Sequence, residues 1–559
     1  MRERVIEELK KVISEGAEIE VTAPDLERQG HYSTNVAFRL AKTSDQRPTT
    51  NEQQPANNEQ RLKIYNTTNV SPHEVAENIV QKLRESGADL FEKIEVAGGG
   101  FINFWLKSEI LQNELLEILR LKKKYGSQKS RVDGQKSKVQ VEYVSANPTG
   151  PLTLANGRGG FLGDVLANVL ERIGYKVERE YYINDVGNQI LILGKSILAA
   201  IGVIADAEEF YKGDYVKEWA EKNNKIVLRR KDEPMKIGQM AAKYFLKSIK
   251  DVLAKKAGIE FDKWTSEEKD IHKKKLAEKA LDVFKKKSFV YEKDGAVWLK
   301  TTEFGDDKDR VLITSAGAPT YFLADGGHYL ETWERGFKRK INILGPDHYG
   351  YVKRIQAVAK ILGFEKSDVI ITQALRLVEG GKEVKISKRK GQFITFEELV
   401  DEVGIDAARF FFLMVSYDSH MDFDMALAKE KSNKNPVYYT QYAFVRAQSI
   451  LRKIKNKKLK IKMTIQNLKL LDTNEDIKLI LKLAQFLEVI EDTAKDYQVH
   501  RLTRYATELA RAFHNFYEEE RILGEEKNIA AARLVLVQAT EIVFKNLFGI
   551  LGISAPEKM

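Results

Sequence analysis

The sequence predicts an α/β chain in three parts: a small N-terminal α+β domain, a central domain with a mostly parallel sheet, and a C-terminal all-α helix bundle. Three observations carry this. From about residue 138 to 430, strand-like and helical runs alternate, as in a parallel sheet with crossover helices. Within that stretch, Asn147-Pro148-Thr149-Gly150-Pro151-Leu152-Thr153-Leu154-Ala155-Asn156-Gly157-Arg158 joins a strand-like run, Lys138 to Val144, to a helical pattern. Leu162, Val165, Leu166, Val169, Leu170 and Ile173 recur there at helical spacing. From about 431 to 559 the pattern is helical almost throughout, which implies a bundle. The expected domains are 1–107, 108–430 and 431–559.

In chain order, the segment from Met1 through Leu9 is a charged amphipathic helix pattern with no apolar signal core. Ser71-Pro72-His73-Glu74 sets a Ser N-cap and a Pro at the first helical position, and predicts a helix to about Arg84. Ile94 to Ala97 and Phe101 to Phe104 read as two strands around a glycine turn. Between these, Thr43 to Asn69 is rich in Gln, Asn, Thr, Glu and Pro. It buries too little apolar surface to offset its ordering entropy and is expected to be a mobile loop. In the central domain, residues 200 to 300 are charged and mostly helical and read as an insertion into the sheet. Ile341 to Gly345 reads as a buried strand ending at Pro346-Asp347-His348, where ligands of such sheets bind. Thr395-Phe396-Glu397-Glu398 is a capping box that starts a helix, ended by Gly404. The sequence shows no internal repeats.

At 559 residues the chain has room for roughly three to four domains, and its hydrophobic content of 43% is ample for real cores. The absence of cysteine excludes disulfides, thiolate zinc sites and thiol nucleophiles. No apolar run is read as approaching the length of a membrane span, so neither a membrane partner nor any location but the cytoplasm is expected. A net charge of +10 fits a polyanionic partner, although a Lys- and Asn-rich composition could also produce it. The run Arg452 to Lys460 reads as a solvated helix end.

Two segments carry the chemistry. The turn at 147–158 precedes a helix, and freed backbone N–H groups at such a turn favour phosphate. Lys385-Ile386-Ser387-Lys388-Arg389, in a Gly-rich polar stretch, offers cations to a triphosphate. In this order they resemble the two signature sequences of the class I aminoacyl-tRNA synthetases. The flanking words resemble the arginyl enzymes: Val141 to Leu152, Tyr182-Ile183-Asn184-Asp185-Val186-Gly187-Asn188-Gln189, Phe304 to Arg310, Gly345 to His348, Asp406 to Arg409, Asn435 to Ala443, and Ser554 to Met559.

The resemblance implies a Rossmann-like catalytic domain, an additional tRNA-binding domain before it and an anticodon-binding bundle after it. It implies ligation of L-arginine to its tRNA through an arginyl-adenylate, with ATP and Mg²⁺ as substrate complex, no structural metal, and a monomer. By resemblance, Glu142, Asn147, Tyr321, Asp325 and Asp347 form the arginine pocket. Carboxylates and carbonyls there suit the planar donor fork of a guanidinium. Pro148, Gly150, Thr153, Ala155, Asn156, Gly157, Lys385, Ser387 and Lys388 bind ATP, with Thr153, Asn156, Lys385 and Lys388 catalytic. Tyr438, Gln441, Tyr442, Arg446 and Met559 contact tRNA.

The chain departs from the family at one place. The first signature normally carries histidines at the positions of Thr153 and Asn156, and glycine at that of Ala155. Thr and Asn still offer neutral donors, as in the tryptophanyl enzymes, whereas the Ala155 methyl crowds the nucleotide. Two other readings remain open at this point. One is a catalytically silent relative that binds tRNA or arginine, against which the lysines of the second segment argue. The other is a different nucleotidyl-transferring enzyme of the same α/β type, against which the terminal modules argue.

Overall fold

A computed structural model describes residues 1–13, 16–24, 29–44, 70–127, 138–384, 394–456, 465–522 and 524–559. Its contacts divide the chain into two compact units. The first comprises Met1–Tyr125, Ala443–Glu488 and Glu508–Phe544. It opens with the helix Arg2–Val12, whose Val5 and Leu9 are buried. Strands β1 (Val21–Thr22), β2 (Tyr32–Thr34), β3 (Phe91–Ala97) and β4 (Phe101–Leu106) form an antiparallel sheet in the order β1-β2-β4-β3. The helix Pro72–Glu85 begins at the predicted capping box. Ser71 Oγ accepts from Glu74 N at 3.2 Å, and Glu74 Oε2 accepts from Ser71 N at 2.8 Å, an arrangement worth about 1 kcal/mol. Gly100, at φ +138°, turns β3 into β4 where a Cβ would meet the Pro72 carbonyl at 2.7 Å. The polar segment starts later than its composition predicts, because the helix Val36–Ser44 runs through Thr43 and Ser44. The rest of that expectation, residues 45–69, lies outside the described residues.

The second unit comprises Gly126–Tyr442, Val489–Thr507 and Lys545–Met559. Its centre is a five-stranded, wholly parallel sheet. In chain order the strands are β5 (Lys138–Glu142), β6 (Lys176–Ile183), β7 (Lys263–Ser266), then β11 (Arg339–Leu344) and β12 (Lys366–Ile371), in the spatial order β12-β11-β5-β6-β7. Between them, β8 (Val290–Lys293), β9 (Ala296–Leu299) and β10 (Arg310–Ile313) make a small antiparallel sheet. Beyond them, β13 (Leu375–Glu379), β14 (Lys382–Glu383) and β15 (Met421–Asp424) make a mixed sheet, β13 running antiparallel to β14 and parallel to β15. The sequence expectation of an insertion over 200–300 is corrected by β7, which returns to the main sheet, and by the β8–β9 hairpin. The inserted helices, among them Asp214–Lys222 and Pro234–Asp251, lie before β7.

The two faces of the parallel sheet differ. One carries Val139, Val141, Tyr181, Ile341 and Ile343, all buried, as a covered parallel sheet requires. The register aligns Gln140 with Glu178 and Lys340, and Glu142 with Glu180 and Asn342, so the opposite face is a polar ladder. The helix Leu154–Arg172 follows β5. Its Gly157 and Gly163 allow close approach: a Cβ would fall 2.2 Å from the Phe396 ring and 2.3 Å from that of Tyr143. Phe396 begins the helix Phe396–Val403, which is capped by Thr395 and Glu398 and ended by Gly404 as predicted.

The helices Pro436–Asn456, Asn474–Ala484, Phe486–Asp496, His500–Glu519 and Lys527–Leu551 make up most of the C-terminal third. The last corrects the reading that no apolar run nears span length. Its 18-residue window has mean hydropathy 1.6, enough by composition to cross a membrane. Yet 72% of that window is buried inside the protein, as in a core helix. Length and hydropathy alone do not separate the two cases.

Candidate functional site

The chain runs from β5 to β6 and β7 on one side, then returns to β11 and β12 on the other. The order therefore reverses between β5 and β11, and ligands of open parallel sheets bind beyond the carboxyl ends of strands at such a reversal. A cavity of about 480 Å³ lies there. Glu142 ends β5, Tyr182 and Asn184 come from the end of β6, Glu267 follows β7, and Asn342 and Leu344 come from β11. Tyr321, Asp325, His328 and Tyr329 of the helix Tyr321–Glu334 complete much of the wall, together with Gln189, His348 and Tyr351.

The backbone after β5 is unusual. Val144 and Ser145 have φ of +66° and +37°, a left-handed conformation that non-glycine residues adopt at a cost. The bend brings Ser145 Oγ back to donate to Glu142 Oε1 at 3.2 Å and to accept from Tyr182 N at 3.1 Å. Asn342 Nδ2 donates to the other oxygen of Glu142 at 2.5 Å. Glu142 is thus held on both oxygens at the cavity floor.

Asp325 meets a different environment. Burial raises its carboxyl first, His328 pulls it back, and Glu267 and Glu142 push it further, to about 7. Asn184 Oδ1 and Gln189 Oε1 are buried without a hydrogen-bond partner. Three carboxylates and two unpaired amide oxygens around one cavity call for a ligand rich in donors and positive charge.

Below the floor, Glu142, Glu180 and His328 bring ligand atoms within 4.8 Å of one another, a spacing that could hold a metal ion. The fully buried Lys340 supplies the cation there. Its Nζ lies 3.1 Å from Glu142 Oε2, 3.0 Å from Glu180 Oε2 and 3.3 Å from His328 Nε2.

Of the residues expected in the pocket, Glu142, Tyr321 and Asp325 line this cavity. Tyr321 is 61% exposed at its rim. Asn147 and Asp347 do not line it. Asn147 is exposed, and the Asp347 side chain is 79% exposed beside His348.

In the first segment, Thr153 caps the helix Leu154–Arg172. Thr153 Oγ1 accepts from Asn156 N at 3.3 Å, while Asn156 Oδ1 accepts from Thr153 N at 2.9 Å and from Thr153 Oγ1 at 2.8 Å. Both residues therefore serve the helix start, leaving the Asn156 amide N–H₂ group as the donor a ligand would meet. Ala155 is exposed, and Pro148 is buried. A Cβ on Gly150 would lie 2.8 Å from the Tyr215 ring. Arg158 is buried and donates to the carbonyls of Gln373, Ser416 and Ser419 at 2.7 to 2.9 Å. Lys385, Ser387 and Lys388 lie outside the described residues.

Among the residues expected to meet tRNA, Tyr438 and Tyr442 have near-parallel rings 6.4 Å apart. Gln441 is buried and donates to Asp406 Oδ2 at 2.8 Å and to the Ser554 carbonyl at 3.0 Å. Arg446 lies over Tyr517 at 4.5 Å, and Met559 is exposed.

Sequence reasoning missed Tyr182, Glu267, His328, Lys340 and Asn342. The 182–189 word could have pointed to Tyr182, Asn184 and Gln189, since it begins at the end of a strand. Its Asp185 instead ties the strand ends, accepting from Ser266 Oγ at 2.6 Å and Glu268 N at 3.0 Å.

Three families match the chain in succession: the arginyl tRNA synthetase N terminal domain over residues 1–106, the tRNA synthetases class I (R) catalytic domain over 114–413, and the DALR anticodon binding domain over 440–559. The chain is 42% identical over 503 residues to an arginine–tRNA ligase of Carboxydothermus hydrogenoformans, covering 88% of this chain and 89% of that one. It is 40% identical over 557 residues to an arginine–tRNA ligase of Citrifermentans bemidjiense, covering 97% and 95%. The fold is similar to that of Thermus thermophilus arginyl-tRNA synthetase, with a TM-score of 0.75, 20% identity and all of both chains covered. The chain belongs to the arginyl-tRNA synthetase family.

Proposed function

We infer that this member of the arginyl-tRNA synthetase family ligates L-arginine to its cognate tRNA, with ATP as energy source and release of AMP and pyrophosphate. One observation carries the reading beyond membership. The cavity at the sheet reversal sets the carboxylates of Glu142, Glu267 and Asp325 beside the unpaired amide oxygens of Asn184 and Gln189. A guanidinium presents five donors and one fixed charge, and no neutral side chain would satisfy such a wall.

Activation is in-line attack of the arginine carboxylate on the α-phosphate of ATP, giving arginyl-adenylate and pyrophosphate. It requires positioning and charge stabilisation rather than covalent help from the protein. ATP arrives as its Mg²⁺ complex. Backbone N–H groups at the start of the helix Leu154–Arg172 and the Asn156 amide are the proposed phosphate contacts. Thr153, whose hydroxyl is given to Asn156 Oδ1, holds that amide in place, and Lys385 and Lys388 follow the pyrophosphate as it leaves. We assign tRNA contacts to Tyr438, Tyr442, Arg446 and Met559, and to Gln441 only through its side-chain oxygen, since its amide donor is taken. The proposed domains are 1–107, 108–430 and 431–559, in a monomer; the spans of the three matching families support the division.

Charging of tRNA with labelled arginine and ATP tests the function. Arginyl-tRNA formation is expected. Normal tRNA binding without charging would favour the silent relative.

A further inference from the structure

We propose that Lys340 is a positioning residue for arginine selection, whose ammonium balances Glu180 and leaves Glu142 as an ionised acceptor facing the substrate. The inference rests on the reading of the cavity as the arginine pocket.

Lys340 sits on β11 in a strand register that places Gln140, Glu142, Glu180 and Asn342 on its own face of the sheet. Its side chain is fully buried, an environment that excludes an unpaired ammonium. Its three N–H donors meet three oxygens: Gln140 Oε1 at 2.6 Å, Glu180 Oε2 at 3.0 Å and Glu142 Oε2 at 3.1 Å. With those donors spent, the proton on His328 Nε2 goes to Glu180 Oε2 at 3.1 Å. Burial works against the Lys340 charge, but the attraction of Glu180 and Glu142 outweighs it and holds the group above its ordinary range. Glu180, burdened by burial, is held well below its own by Lys340 and His328.

The two carboxylates differ in one respect. Glu180 is fully buried and enclosed by Lys340, His328 and Thr265, whereas Glu142 lines the cavity. Two carboxylates this close do not both stay ionised without a cation between them. Arg335 reaches Glu180 Oε1 at 3.8 Å but is itself paired more closely with Glu178 and Glu331, so Lys340 is the cation Glu142 and Glu180 share. Two negative charges against that one ammonium leave one net negative charge, and Glu142 is where the substrate meets it. Without Lys340 the pair would take up a proton, and Glu142 would lose its charge or its placement.

The test uses the full-length enzyme in the charging assay, with Lys340→Met, Glu180→Gln and the double variant Lys340→Met/Glu180→Gln. Lys340→Met is expected to raise the arginine KM about tenfold or more, with kcat and the ATP KM within about threefold of wild type. The double variant removes one charge of each sign and is expected to return the arginine KM to within about threefold. An unchanged KM in the single variant, or an equal rise in the folded single and double variants, overturns the proposal. If Lys340→Met does not fold, the double variant decides. A wild-type KM then supports charge balance, and a raised KM or failure to fold overturns it. Asp325→Asn runs alongside: an unchanged arginine KM there overturns the pocket reading itself, and this inference with it.

Discussion

The cavity beyond β5 and β11 and the turn that starts the helix Leu154–Arg172 treat charge in opposite ways. The cavity gathers Glu142, Glu267 and Asp325 around one space, with Lys340 beneath them. From Asn147 to Gly157 the turn carries no charged side chain, and two of its polar groups, Thr153 and Asn156, satisfy each other. Arg158, the first cation after it, spends its donors on three backbone carbonyls. The lesson is energetic. The proposed arginine pocket stores uncompensated charge in the folded protein, at a cost in stability. The proposed phosphate end stores none, so the cation that a triphosphate requires must come from elsewhere, and Lys385 and Lys388 are the candidates.

That contrast can be broken most forcefully at Asp325. Asp325→Asn replaces a charged acceptor with a neutral amide, and truncating such a buried partner costs about 2–5 kcal/mol. The arginine KM should rise by at least tenfold, with little change in the ATP KM. The same substitution should raise the Tm. The carboxyl is lifted in the folded state to about 7, well above its unfolded value. Folded protein therefore holds the proton more tightly, and the stability this lends is lost as pH rises from about 4 to about 7. A variant that loses arginine affinity without gaining thermal stability would contradict the claim that the cavity stores charge.

The second test concerns the missing cation. Lys385→Ala and Lys388→Ala should each lower kcat by roughly 10²–10³-fold, the scale for losing one stabiliser of developing charge, with the arginine KM nearly unchanged. A loss falling mainly on arginine KM would move these lysines out of the phosphate role.

The turn itself gives a smaller effect of opposite sign in stability. Asn156→Ala removes both the capping partner of Thr153 and the proposed phosphate donor. It should destabilise the protein by about 1 kcal/mol and reduce kcat by no more than about 10²-fold, leaving tRNA binding intact. Full activity in a Thr153→Ala, Asn156→Ala double variant would show that this turn does not touch ATP.

The smallest effect is a pH dependence. In the proposed pocket arginine meets the ionised form of Asp325, so its apparent affinity should fall as protons compete. Between pH 8 and pH 6 the arginine KM should rise about tenfold. Asp325→Asn should abolish that slope.

How much of this was legible in the sequence follows the range of the interactions. The caps at Ser71 and Thr395, the helix after Thr153 and the β3–β4 turn were readable because each is built from residues a few positions apart. β7 was not, since four residues, Lys-Trp-Thr-Ser, in a charged helical stretch become a strand only by pairing with β6. Lys340 reads as a charge near the start of an apolar strand. Its burial is made possible by Gln140 and Glu180, contributed from 200 and 160 residues away. Several family words hold the structure together. Arg310 clamps Asp306 at 2.7 Å, Arg409 pairs with Asp164 at 2.7 Å, and Gly157 makes room for Phe396. A motif residue can be indispensable to the fold and never touch the substrate.

The most direct test of the contrast is discrimination between arginine and citrulline, its neutral isostere, with tRNA and ATP present. A cavity that recognises its substrate by fixed charge should leave carboxylates unpaired against a urea. Citrulline should therefore inhibit charging roughly 10³-fold or more weakly than arginine supports it, as sites built around a specific polar partner do. Inhibition by citrulline within about tenfold of the arginine KM would show that shape rather than charge selects the ligand, and would contradict the account.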